Sequence, residues 1–249
     1  MALSVKRAIY ARRGEPYEFA GETVRFAPGT RPVRRKYLHS TNWVNRDDVL
    51  EILWLERHLE RGGVVIDVGA HYGIYSVLMA SRAAQVVAFE PDPYAREMLA
   101  RNAALNSKHG TITIEALACS DRDGEAVLFS RGGQANSSFA RSAVEKQSLA
   151  LEEIRVPTIT LDRYLAEHSL SPRIVKIDAE GAEIRILKGA RSLLASDAKI
   201  LCELHPYAWA EFGNSLSELE SLIAVAGRKM RYLDPMRKPN TYGMTVFEY

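Results

Sequence analysis

From about residue 48 onward, short apolar runs alternate with stretches of helical periodicity, and no other feature restricts the fold as strongly. VVID (64–67), QVVAFE (85–90), TITIEA (111–116), RIVKID (173–178) and KILCEL (199–204) read as strands, most of them apolar on consecutive positions and so buried on both faces. Around them DDVLEILWLERHLE (47–60), YSVLMASRAA (75–84), PYAREMLARNAALN (93–106), LDRYLAEH (161–168), AEIRILKGARSLL (182–194) and LSELESLIAVAG (216–227) follow the helical period. KMRYL and MTVFEY supply two closing strands. Buried strands separated by amphipathic helices require a doubly wound, mostly parallel α/β sheet with right-handed crossovers. Ligands of such sheets collect at the carboxyl ends of the strands.

Local signals punctuate this rhythm. Asp92 before Pro93 is expected as an N-cap with proline in the first helical turn, and Ser215 with Glu218 has capping-box spacing. Residues 1–40 carry only short strand-like pieces, so 1–48 is expected to be a β-rich N-terminal extension to a domain at 49–249. Residues 118–158 interrupt the alternation. Asp123-Gly124, between alternating stretches, predicts a hairpin, and the polar 131–142 stretch after it suggests a lid-like insertion.

At 249 residues and 47% hydrophobic, the chain can bury one large core. Its net charge of +2 is uneven: residues 1–40 hold nine Lys/Arg against three Glu, which leaves the remainder at −4. That basic arm lacks the interleaved aromatics that stack bases, so solvated surface charge is expected, with no nucleic-acid partner. Cys119 and Cys202 lie in apolar surroundings and read as reduced core thiols, which suits the cytoplasm. No stretch reads as a signal peptide or membrane span.

The chemistry concentrates at strand ends. Asp67 closes the first strand, and Gly69 and Gly73 follow within a tight turn that lets a ligand approach backbone at a helix N-terminus. Asp67 is expected to project into the crevice. Glu90 closes the second strand 23 positions later, where a ribose-binding acid belongs. A dinucleotide enzyme would want three glycines as G-x-G-x-x-G, whereas DVGAHYG has two and an acid before them. That acid suits an ammonium-bearing ligand better than a pyrophosphate, which favours S-adenosylmethionine (SAM).

VVIDVGAHYGIYSVLMA, VVAFEPDPYAREMLARNAALN, LACSDRDGEAVLF, VPTITLDRYL, IVKIDAEGAEIRILKGA and ILCELHP together resemble the FkbM family of methyltransferases, over about residues 49–206. The resemblance implies a class I methyltransferase fold, Rossmann-like and seven-stranded with its last strand antiparallel, and SAM-dependent O-methylation of small molecules or sugars. By motif position, Asp67, Gly69, Ala70, His71 and Gly73 would surround the methionine part of SAM. Glu90 would hold the ribose, followed by Pro91 and Asp92, with Ala116 and Leu117 near the adenine. Asp178 and Glu180 would face the methyl group and the acceptor.

Glu183 suits a helix macrodipole better than Glu180 does. Glu203 and His205 close the fifth strand. His205 is the candidate base because an unperturbed histidine titrates near neutrality. Asp178, Glu180, Glu203 and His205 are also types that gather round a divalent cation, but their spacing does not demand one, and no metal is expected. Trp43 and Asn45 are candidates to cover the cofactor, and Asn136, Ser137 and Ser138 to contact the acceptor. His39, His58, His109 and His168 read as surface or capping residues. Three rival functions remain: a nucleic-acid methyltransferase using the basic arm, a nicotinamide-dependent oxidoreductase, and a non-catalytic protein with the same fold.

Overall fold

A computed structural model of the chain describes residues 12–33, 35–39, 43–130, 132, 138–140, 151–238 and 241–249. In chain order its first half contains β1 (Glu15–Phe19), β2 (Glu22–Phe26), α1 (Trp43–His58), β3 (Val64–Val68), α2 (Ile74–Ala80), β4 (Gln85–Phe89), α3 (Pro93–Leu105), β5 (Thr111–Glu115), β6 (Ala118–Cys119) and β7 (Gly124–Ser130). The second half contains β8 (Glu152–Ile159), α4 (Leu161–Glu167), β9 (Pro172–Ile177), α5 (Glu183–Lys188), α6 (Arg191–Leu194), β10 (Lys199–Leu204), α7 (Pro206–Trp209), α8 (Leu216–Val225), β11 (Lys229–Tyr232) and β12 (Gly243–Glu248).

Seven strands form one sheet in the order β11-β12-β10-β9-β3-β4-β5. The five from β10 to β5 run parallel, and β12 is antiparallel to both neighbours. Strand alternation sends Ile66, Val87, Val175 and Ile200 to one face, packed under α4, α5, α6 and α8. Val65, Val86, Ile174 and Leu201 go to the other, under α1 and α2. The same two-residue period puts Asp67, Lys176 and Glu203 on the α1/α2 face, near the carboxyl ends of β3, β9 and β10. Three polar groups thereby enter an otherwise apolar layer.

The β1–β2 hairpin docks on this face through Asn102 of α3 and Asn106 at its C-cap. Asn106 Oδ1 accepts from Arg25 N (2.8 Å) and its Nδ2 donates to the Arg25 carbonyl (2.6 Å). Asn102 Oδ1 accepts from Ala27 N (2.8 Å). Asp92 caps α3 as expected, accepting from Tyr94 N and Ala95 N. Ser215 caps α8, but Glu218 turns to Lys188 at 2.7 Å instead of completing a capping box.

Two expectations fail for physical reasons. Asp123-Gly124 does not join a hairpin, because β8 lies between β6 and β7 and pairs with both, parallel to one and antiparallel to the other. The helix expected over 182–194 divides into α5 and α6 at Gly189, where a Cβ would fall 2.1 Å from the Ser120 carbonyl oxygen. The chain therefore needs glycine there to pass Ser120. Both cysteines are buried and unpaired. Among the described residues, no helix is long and apolar enough to cross a membrane.

Candidate functional site

The loop after β3 is shaped by backbone contacts. Gly69 has φ +77°, and a Cβ there would lie 1.7 Å from the Asp178 carbonyl oxygen, so no other residue fits between the ends of β3 and β9. Gly69 N and Ala70 N both donate to the Phe89 carbonyl at 3.0 Å. His71, held at φ +49°, donates its N–H to Glu90 Oε2 (2.6 Å), while Asp92 N donates to Glu90 Oε1 (2.8 Å). Burial pushes the Glu90 carboxyl up to about 7, against the lowering effect of those two N–H groups. Asn102 Nδ2 donates to the Tyr72 carbonyl (2.8 Å), so the residue that receives β2 also fixes this loop.

The rim beyond β9 and β10 is built from side-chain charge. Lys176, 1% exposed, donates to Asp178 Oδ2 (3.2 Å), lies 3.7 Å from Glu51 Oε1 of α1, and sits over the Tyr75 ring at 4.6 Å from its centroid. Burial disfavours its charge, but Asp178, Glu51, Asp67 and Glu203 outweigh burial and hold it protonated. Burial pushes Glu51 up to about 8 and Asp48 up to about 6. Asp178 is itself lowered, because Lys176 and His205 overcome its desolvation.

His205 Nδ1 bonds Glu183 Oε1 (2.8 Å), and its Nε2 lies 3.6 Å from Glu180 Oε2 and 3.9 Å from Asp178 Oδ1. Glu183 is fully buried, and its Oε2 also accepts from Trp209 Nε1 (2.8 Å). It stands in the first turn of α5, as the helix-dipole reading expects, and it also anchors the histidine. Although burial favours neutral imidazole, Glu183, Glu180 and Glu203 push His205 up to about 10. The expectation of titration near neutrality is therefore not met. Tyr242 donates to Glu203 and Tyr207 to Glu180 Oε2 (3.0 Å). Among the described residues, two of the four non-glycine positions at positive φ, His71 and Glu180, face the cleft that these groups border.

A cleft of about 170 Å³ joins the two halves. Of the sequence-derived candidates, Gly69, His71, Glu90, Pro91, Asp92, Leu117, Asp178 and Glu180 line it. Ala70 and Gly73 shape the loop behind it, and Ala116 points to solvent. His205, 1% exposed, lies behind Asp178 and Glu180.

Asp67 does not project into the crevice. It is fully buried, its Oδ2 accepts from Ser76 Oγ, and its Oδ1 has no hydrogen-bond partner; burial raises its pKa. Leu128 and Phe139 also line the cleft, and Ser138 Oγ donates to the Glu180 carbonyl (2.7 Å). Leu128 and Phe139 owe their place to long-range packing that leaves no local pattern, while Ser138, a candidate from the sequence, bonds the rim backbone and does not itself line the cleft. The side chains of Trp43 and Asn45, and all of Asn136 and Ser137, lie outside the described residues. A larger cavity, about 900 Å³, opens at the amino ends of β3, β9 and β10 and holds none of the rim carboxylates.

This strand order, with a glycine loop after the first central strand and acids closing its neighbours, defines a class I methyltransferase fold. Residues 67–232 match the methyltransferase FkbM domain, and the chain belongs to that family. It is 28% identical over 159 residues to the hexuronic acid methyltransferase AglP of Haloferax volcanii, covering 64% of this chain and 62% of that protein. The structure of the methyltransferase FkbM from Methylobacillus flagellatus KT superposes with a TM-score of 0.50 at 13% identity, over 84% of this chain and 56% of that one. The Thermus thermophilus 16S rRNA N2 G1207 methyltransferase, solved with AdoMet and guanosine, gives a TM-score of 0.48 at 16% identity, over 95% and 50%. The chain thus spans less than two thirds of the length of each of these relatives.

Proposed function

We propose that the protein is a SAM-dependent O-methyltransferase that acts on a hydroxyl of a small molecule or sugar. One observation carries this reading: a single cleft is lined at one end by Glu90 and the glycine loop and at the other by Asp178 and Glu180. The groups present fit SAM. Glu90 offers carboxylate oxygens to ribose hydroxyls, Gly69 leaves room where a side chain would collide, and Leu117 gives an apolar wall for a base. Bound SAM would supply an electrophilic methyl group on a sulfonium.

The chain's own residues then have three tasks. Asp178 and Glu180 line the cleft and accept the hydrogen bond of the acceptor hydroxyl, whose proton passes to the Glu180 carboxylate as the oxygen takes the methyl group, and His205 stands behind both. Apolar Phe139 and Leu128 of the insertion exclude water, so its described residues cover this end of the cleft. Holding the acceptor oxygen in line supplies up to about 7–11 kcal/mol of the barrier reduction. The sugar substrate in AglP's name puts sugars first among acceptors to try.

Calorimetry with SAM and with NAD, followed by mass spectrometry of hydroxylated sugars and metabolites incubated with protein and SAM, tests the reading. SAM should bind, NAD should not, and one acceptor should gain a single methyl group on oxygen. Binding of NAD alone, or methylation at nitrogen, would overturn it.

A further inference from the structure

We propose that Asp178, Glu203 and His205 form a binding site for one divalent cation, of the manganese(II) class, beside the acceptor end of the cleft. Each contributes one ligand atom, and the three atoms lie within 4.8 Å of one another. They come from the carboxyl ends of two adjacent parallel strands, β9 and β10, so the sheet itself sets their spacing.

The histidine points to a cation independently of the acids. Its side chain is 2% exposed, and Nδ1 is committed to Glu183, which is held in turn by Gly181 N (2.7 Å) and Trp209 Nε1 (2.8 Å). A buried carboxylate that fixes one ring nitrogen while the other faces further ligands is the usual support of a metal-bound histidine. Here Nε2 makes no hydrogen bond; Glu180 Oε2 and Asp178 Oδ1 stand 3.6 and 3.9 Å away. A direct charge-assisted bond would close to about 2.7–2.9 Å. Separations of 3.6–3.9 Å suit groups that share an ion at about 2.0–2.2 Å from each.

Local charge agrees. Asp178, Glu51, Asp67 and Glu203 face Lys176, and Glu180, Glu183 and Glu203 face His205, so acids outnumber the two cationic side chains and a divalent ion would offset part of that crowding. Two carboxylates favour a hard ion and one imidazole a borderline one, a combination that manganese(II) satisfies. Asp178 is a quarter exposed and lines the cleft, so coordination positions stay open to water or to an acceptor oxygen. The ion would orient that oxygen and lower its pKa. This catalytic role rests on the methyl-transfer reading; cation binding does not.

The test is titration of the chelator-treated full chain with MnCl₂ and no SAM, following free Mn²⁺ by electron paramagnetic resonance. One ion per chain is expected, with affinity reduced about ten- to hundredfold in Glu183→Gln, which removes the charge that supports His205. Asp178→Asn, at a partly exposed position, serves as a second variant if Glu183→Gln does not fold. No retention by the folded parent chain, or undiminished retention by folded Asp178→Asn, would overturn the site. Retention without methyl transfer to any acceptor would uphold the site and sink the enzymatic reading. Methyl transfer unaffected by chelator, with no ion retained, would do the reverse.

Discussion

The two halves of the rim are built from different materials. Around β3 and β4 the cleft is made of backbone: Gly69, Ala70 and His71 present amide groups, and Glu90 is bonded by the N–H groups of His71 and Asp92. Around β9 and β10 it is made of side-chain charge contributed by α1, α2, β9, α5, β10 and the segment before β12. A backbone-built half changes little under substitution, which suits a ligand that never varies. A charge-built half can be retuned residue by residue, which suits a variable one.

The sharpest way to break this comparison is Lys176→Met. Removing one partner from a buried charge set leaves the others uncompensated and typically costs about 3–5 kcal/mol. We expect that loss in urea unfolding, because Asp178 and Glu51 both face the ammonium. A loss below about 1 kcal/mol would mean that the acids hold themselves without the lysine, and the contrast between the halves would collapse.

The same contrast explains what could be read in advance. Gly69, Glu90 and Asp178 were legible because each closes or follows a strand, and strand ends are marked by where an apolar run stops. Lys176 was visible only as an interruption of IVKID. Glu51, Tyr75, Trp209 and Tyr242 carry no local mark, since their roles exist only once α1, α2, α7 and β12 meet over β9 and β10. Asp67 looked like a ligand group by position, yet the two-residue strand period turns it under α2 toward Ser76. The Asp-Gly hairpin failed similarly, because β8, some thirty residues further on, displaced the local partner.

Asn102→Ala probes the backbone-built half from behind. It removes the acceptor for Ala27 N and the donor to the Tyr72 carbonyl, and leaving such buried groups unsatisfied costs about 1–3 kcal/mol. Thermal unfolding should show that loss. The KM for SAM should rise while kcat changes little, since the acceptor side is untouched. Unchanged SAM affinity in the folded variant would show that the Gly69–Gly73 loop keeps its shape without the clamp.

The smallest expected effect is a pH dependence confined to the cofactor half. Glu90 faces His71 N, Asp92 with its own carboxylate, and Arg96, whose Nη1 binds the Glu90 and Pro91 carbonyls; burial dominates and sets its carboxyl at about 7. With Glu90 as the proposed ribose acceptor, ribose hydroxyls would donate to its ionised form, so SAM binding would favour that form, and affinity should rise through pH 7 and level off above. Between pH 8 and pH 6 the loss should be roughly tenfold. Stability runs the opposite way: a carboxyl raised from 4.5 to about 7 by folding binds its proton more tightly in the native state. Its contribution is therefore present at low pH and lost as pH climbs through that interval. Calorimetry of SAM binding at pH 6, 7 and 8 checks the first sign, with Glu90→Gln as the control that should flatten the profile. A profile as steep in Glu90→Gln as in the parent would assign the proton to the ligand and remove Glu90 from the ribose site.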